Sequence, residues 1–65
     1  MAQYKVTYEY LRQSDNGFTI TDSAVDYVEG ESAVYVNDNF EIRNLAGRVV
    51  AFYPRVRVVS VKRLA

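Results

Sequence analysis

Cysteine and histidine are both absent from this 65-residue sequence. Without cysteine there are no disulfides and no thiolate metal sites. Without histidine, the commonest metal ligand and general base is missing. No apolar run approaches the length of a membrane-spanning helix. The opening MAQYKVTYEY lacks a basic stretch followed by an apolar one, so no signal peptide is expected and the protein reads as cytoplasmic. No GxGxxG or GxxxxGK pattern occurs, which removes the common phosphate-cradling loops. Glycine is confined to Gly17, Gly30 and Gly47, and proline to Pro54.

What remains is one domain, residues 1–65, with a thin margin of stability. A chain this short buries only roughly 60% of its unfolded surface. Its single core supplies only about 3–5 kcal/mol. The usual remedies are staples, tight packing or a partner. With staples excluded, a homo-oligomer or a permanent complex is an expected outcome.

Charge is balanced overall and lopsided in detail. Residues 1–41 hold all eight acids against Lys5 and Arg12, a net −6. Residues 42–65 hold Arg43, Arg48, Arg55, Arg57, Lys62 and Arg63 with no acid, a net +6. Such asymmetry can mark an anion-binding half. The simpler expectation is that the halves neutralise each other across strands of one sheet, at about 0.2–1 kcal/mol per pair.

Valine, tyrosine, phenylalanine, isoleucine and threonine fill the runs between glycines, and these residues favour pleated, half-buried surfaces. In QYKVTYEYL, residues 3–11, Tyr4, Val6, Tyr8 and Tyr10 share one parity, and Lys5, Thr7 and Glu9 share the other. Strict alternation predicts a strand with one apolar face. SDNGF at 14–18 predicts a turn with Gly17 at positive φ, or a type I′ turn at Asn16-Gly17. The strand then resumes with Phe18 and Ile20 on one face, making a hairpin. A kink is expected at Asp22-Ser23, a second extended piece at Val25–Val28, and a turn at Glu29-Gly30-Glu31.

Residues 32–46 admit two readings. As a helix, Ser32 is the N-cap, Ala33, Val36 and Phe40 form a stripe, and Gly47 is the C′ residue. As a hairpin, AVYV and NFEIRN flank Asn37-Asp38-Asn39. The hairpin is preferred because residues 34–39 are middling to poor helix formers. NLAG at 44–47 also has the pattern of a type I turn closed by a G1 bulge, leading into RVVAFY.

RVVAFY and RVRVVSVKRL, split by Pro54, are apolar on both parities. Val49, Ala51 and Tyr53 fall on one side, Val50 and Phe52 on the other. Strands apolar on both faces are expected to be central or wrapped in a barrel. The expected fold is therefore all-β. It is a small, strongly bent antiparallel sheet or an SH3/Sm-like barrel of five or six short strands. Closure would remove exposed edges. The alternative is α+β, ββαββ, with a helix near residues 32–46.

NFEIRNLAGRVVAFYPRVRVVSVKRL resembles the ends of short, uncharacterised open reading frames of actinobacterial phages. They share a Gly turn, a VVA strand and a final strand like VVSVKR. The resemblance covers about the last third of the chain. It implies a context, a small accessory protein of a phage or other mobile element. No activity and no functional residue carries over with it.

Catalysis is not expected. Paired carboxylates exist at Glu29 with Glu31 and at Asp22 with Asp26, and such pairs do acid–base work when a cleft separates their pKa values. Here they sit in polar, turn-rich stretches. Asn37-Asp38-Asn39 lacks the alternating ligands and twelfth-position Glu of a calcium loop. No cofactor or metal is expected. Two binding readings remain. In the first, the partner is a protein or a second copy. Tyr4, Tyr8 and Tyr10 are aromatic anchors and Arg55 and Arg57 polar contacts, residue types enriched at interfaces. In the second, the partner is nucleic acid. Arg55, Arg57, Lys62 and Arg63 hold phosphates, and Phe52 or Tyr53 stacks on unpaired bases.

Overall fold

The computed structural model describes residues 2–64. The protein is all-β, built from six antiparallel strands in two three-stranded sheets. The strands are β1 (Ala2–Gln13), β2 (Thr19–Gly30), β3 (Ser32–Val36), β4 (Asn39–Arg43), β5 (Val49–Pro54) and β6 (Val58–Arg63). A single 3₁₀ turn, Arg55–Arg57, separates β5 from β6. The first sheet has order β2-β1-β6 and the second β3-β4-β5. The sheets do not close into a barrel, so β2 and β6 are open edges of one, β3 and β5 of the other. Residues 32–46 are a hairpin and not a helix.

The two glycine-closed turns use the same device. Ser14 and Asn44 each accept a hydrogen bond from the glycine three residues on, Gly17 and Gly47, at 2.9 Å. Both glycines have positive φ, +82° and +81°. Each turn is also tied by its first side chain. Ser14 Oγ accepts from Phe18 N at 3.2 Å, and Asn44 Oδ1 from Arg48 N at 3.0 Å. Asn16 keeps negative φ, so the type I′ alternative is not used. At the β3–β4 turn Asn37 takes φ 54°, which asparagine tolerates better than most residues.

β2 is continuous through Asp22-Ser23, and its register with β1 is unbroken from Ala2↔Gly30 to Gln13↔Thr19. The expected kink is absent because each residue there pairs with β1. The expected turn at 29–31 is a corner. Gly30 ends the first sheet, while the Glu31 N–H already bonds the Arg43 carbonyl of the second at 2.8 Å. One length of chain therefore serves both sheets. A side chain at Gly30 would place its Cβ 2.5 Å from Ile42 Cγ2 and 3.1 Å from the Arg43 carbonyl oxygen.

Even-numbered residues of β1 and β2 face the second sheet. Ala2, Tyr4 and Val6 pack on Phe40, Ile42 and Tyr53, with Tyr8, Val28, Ala33, Ala51, Val58 and Val61 around them. Val6 and Ile42 are fully enclosed. The last two strands are edge strands, contrary to the reading from their two apolar parities. A third layer to cover their second face would need more chain than 65 residues supply. Bulges also re-phase them. Val50 is passed over in the β4–β5 register, which sends Val49 to the outer face with Phe52. Val59 is passed over between Thr7↔Ser60 and Tyr8↔Val58.

The two charged halves do not neutralise each other along one sheet. Arg12 pairs with Asp22 at 2.9 Å inside the first half, and the pair that does join the halves, Arg43 with Glu41, lies within a single strand, β4, and not across strands. Lys5 lies directly opposite Lys62. The reason is pairing order: basic β6 adds to β1 beside Lys5, while Asp22, Asp26 and Glu29 lie on β2 at the far edge.

Replacing Gly30 with alanine drives a methyl into the enclosed Ile42. The expected cost is about 1–3 kcal/mol, the range for overpacking a close-packed site, measured as a lower urea midpoint. Unchanged stability would show that the corner has room to open.

A candidate binding groove at the base of the hairpin

β6 pairs with β1 only from Tyr4 to Tyr8. Beyond that point β1 and β2 continue as a two-stranded ribbon. Where the second sheet stops covering the ribbon, an open groove of about 390 Å³ forms. It is lined by Tyr8, Glu9, Tyr10, Leu11, Tyr53, Pro54 and Arg57. β1 supplies one wall, the end of β5 the other, and the 3₁₀ turn sets Arg57 at the rim. The turn exists because Pro54 cannot donate to a ladder; its position is held by Arg55 N, which bonds the Asp38 carbonyl at 2.7 Å.

The aromatic geometry is graded. Tyr8 and Tyr53 stand 5.1 Å apart between ring centroids at 40°, and Tyr8 and Tyr10 6.5 Å apart at 48°. These separations lie within the range of favourable tilted ring pairs. Tyr53 is buried, Tyr8 half-buried and Tyr10 39% exposed. Stacked rings thus run from core to solvent.

Tyr53 is anchored by its hydroxyl, which donates to Asp26 Oδ2 at 2.9 Å. That bond ties the second sheet to β2 of the first. Burial, followed by the hydrogen bond and the negative charge of Asp26, raises the Tyr53 phenol well above its ordinary range. Farther along the ribbon, the Ser23 backbone N–H holds the Asp22 carboxyl below its usual range, and Arg12 adds to the effect. That contribution is present at neutral pH and is lost as acid protonates Asp22.

Sequence-derived candidates divide among several surfaces. Tyr8, Tyr10 and Arg57 meet in the groove, joined by Tyr53 from the nucleic-acid set. Tyr4 does not: at 6% exposure its ring belongs to the core, because β6 and the second sheet cover that end of β1. Arg55 points elsewhere, with its guanidinium carbon 4.9 Å from the centroid of the Tyr35 ring. Arg55 and Arg57 therefore do not share a strand face; the chain between them is helical. Phe52, 65% exposed, lies on the outer face of the second sheet opposite Glu41. Lys62 lies beside Lys5, and Arg63 opposite Tyr4 near the end of the first sheet. Sequence reasoning did not place Pro54, Glu9 or Leu11 in a site. Pro54 between Tyr53 and Arg55 was the available signal, since an imino acid there forces the chain out of the strand.

No protein-family model, curated protein or solved structure matches the chain.

Tyr53→Phe keeps the ring and removes the hydroxyl. The expected loss is about 1.5–3 kcal/mol near neutral pH, as for a hydrogen bond to a charged group. A phenol raised by folding gives its full contribution below about pH 10, where the unfolded phenol ionises, and loses it as pH rises further. The gap between wild type and variant in urea unfolding should therefore close above that pH. Equal stabilities at pH 7 would show that the hydroxyl ties nothing.

Proposed function

We propose that this protein is a non-catalytic binding module whose groove accepts an aromatic side chain of another polypeptide. The observation that carries the reading is the tyrosine series Tyr8, Tyr10 and Tyr53 with Arg57 at its rim. A further ring entering such a groove gains tilted aromatic contacts of about 0.5–1.5 kcal/mol each beyond its burial. A guanidinium beside it adds a cation–π contact. The polypeptide contacts fall to Tyr8, Tyr10 and Arg57; Tyr4 and Arg55 support the fold around them. In the context suggested by the resemblance, this is a cytoplasmic accessory protein of a phage or mobile element, acting on a protein partner. Among the described residues no helix is long and apolar enough to cross a membrane.

The second reading is single-stranded nucleic acid. It is favoured by six cations, Lys5, Arg48, Arg55, Arg57, Lys62 and Arg63, that have no carboxylate within ion-pair distance among the described residues. Their dispersal weighs against it. Phe52, Arg57 and Lys62 lie on three different surfaces, so no single track follows a phosphate backbone with bases stacked beside it.

The test is a ¹⁵N–¹H correlation spectrum titrated with two probes. N-acetyl-phenylalaninamide should shift Tyr8, Tyr10, Tyr53 and Arg57, with little response to salt. A mixed-sequence single-stranded oligonucleotide should leave the spectrum unchanged. Oligonucleotide shifts that vanish between low and moderate salt, the mark of counterion release, with none from the amide, would overturn the proposal.

A further inference from the structure

The β1–β2 ribbon makes the molecule too extended for its size. Its longest dimension is 45 Å, and its radius of gyration is 13.5 Å, against about 10.7 Å for a compact 65-residue domain. The accessible surface is 4757 Å², where a compact monomer of this mass exposes about 4,250 Å². The excess lies where residues 9–23 leave the body as two strands. A two-stranded ribbon alone in water is marginal.

Its two faces differ. The outer face carries Glu9, Leu11, Gln13, Thr19, Thr21 and Ser23, a wet surface with Leu11 as its one large apolar residue. The inner face continues the stripe that forms the core. Its successive cross-strand rows are Tyr8 with Ala24, Tyr10 with Asp22, Arg12 with Ile20, and Ser14 with Phe18 at the tip. Phe18 is 69% exposed.

This inner face is self-complementary. Turn a second copy about a two-fold axis lying between the faces, across the strands, centred between the second and third rows. The rows then exchange end for end. Tyr10 of each chain meets Arg12 of the other, and Phe18, the largest apolar group, meets the row of Ala24, the smallest, and Tyr8, which lines the groove. Arg12 and Asp22, one positive and one negative, fall at the centre, where each reaches its opposite in the other copy. The surface excess of each chain, about 500 Å² by the scaling above, is of the order that one partner buries in a small stable interface, about 600–800 Å². A two-fold contact of this kind closes on itself and stops at two chains.

We propose that the protein is a homodimer in which the ribbons pack inner face to inner face, antiparallel, and Phe18 of each chain enters the tyrosine groove of the other. This rests on the reading of the groove as an acceptor of aromatic side chains and names the ring that fills it. The partner's ribbon does for the outer half of β1–β2 what the second sheet does for the inner half. Each groove is complete only when the other copy is present.

Sedimentation equilibrium from about 10 to about 500 µM, spanning weak to moderate affinities, tests it. Wild type should sediment as a dimer. Phe18→Ala, which removes an exposed side chain and so leaves the fold intact, should weaken association at least about tenfold, as for an aromatic anchor that fills a pocket on its partner. Val25→Ala, on the outer face of the same hairpin, should leave association unchanged. A wild type that stays monomeric throughout overturns the dimer, as does association weakened by Val25→Ala but not by Phe18→Ala. N-acetyl-phenylalaninamide added to the monomeric form separates the two claims. Groove shifts in a wild type that never dimerises overturn self-docking and leave the acceptor groove standing. A Phe18-dependent dimer whose Phe18→Ala monomer shows those shifts supports both.

Discussion

The close approach of Gly30 to Ile42 and the Arg43 carbonyl is the constraint on which the architecture depends. A continuous stretch of chain passes there from one sheet to the other, and it can do so only because residue 30 has no side chain. The crossing lays the even-numbered face of β1 and β2 on Phe40, Ile42 and Tyr53. With no cysteine to form a disulfide between the sheets, that contact is the core. Its small size explains why the last two strands remain at sheet edges with apolar residues showing. The chain has enough residues for two layers and none for a third.

A second tie runs through a polar pair. Asp26 points inward from edge strand β2, where a carboxylate would be costly unless satisfied. Tyr53 satisfies it from the opposite sheet. The arrangement orients the Tyr53 ring against Tyr8 and so builds the inner end of the groove. An inward charge on an edge strand also discourages pairing with other chains along that edge. The tie between the sheets and the shape of the groove therefore depend on one hydrogen bond.

Beyond the groove the balance changes. The inner face of the ribbon keeps the residue types of a core face, yet the second sheet no longer covers it. Tyr4, Tyr8 and Tyr10, on one face of β1, thus stand in three environments: enclosed, half-buried and exposed. A side chain's chemistry is the same at each step, and only the extent of the opposing sheet differs. That gradient marks where the molecule has surface to offer.

Strands and turns were legible in the sequence because their causes are local. Alternation between Tyr4 and Tyr10 specifies a strand with two unlike faces. The pattern Ser14 to Gly17, repeated as Asn44 to Gly47, specifies turns through side-chain acceptors and a glycine able to take positive φ. The weak helix formers at 34–39 specify a hairpin over a helix. Which strands share a sheet was not legible, because pairing joins residues far apart in the chain. The supposed kink at Asp22-Ser23 vanished once β1 lay alongside it, and the supposed turn at Gly30 became a corner once Arg43 offered a carbonyl. The site was legible as residue types and not as a place. Tyr8, Tyr10 and Arg57 share the groove, whereas Tyr4 and Arg55 are diverted to the core and to Tyr35. The sequence alone determined an all-β domain, its turns and its lopsided charge, through short-range sterics and hydrogen bonding. Only the tertiary structure decided which aromatics are covered, since that depends on where one sheet ends above another.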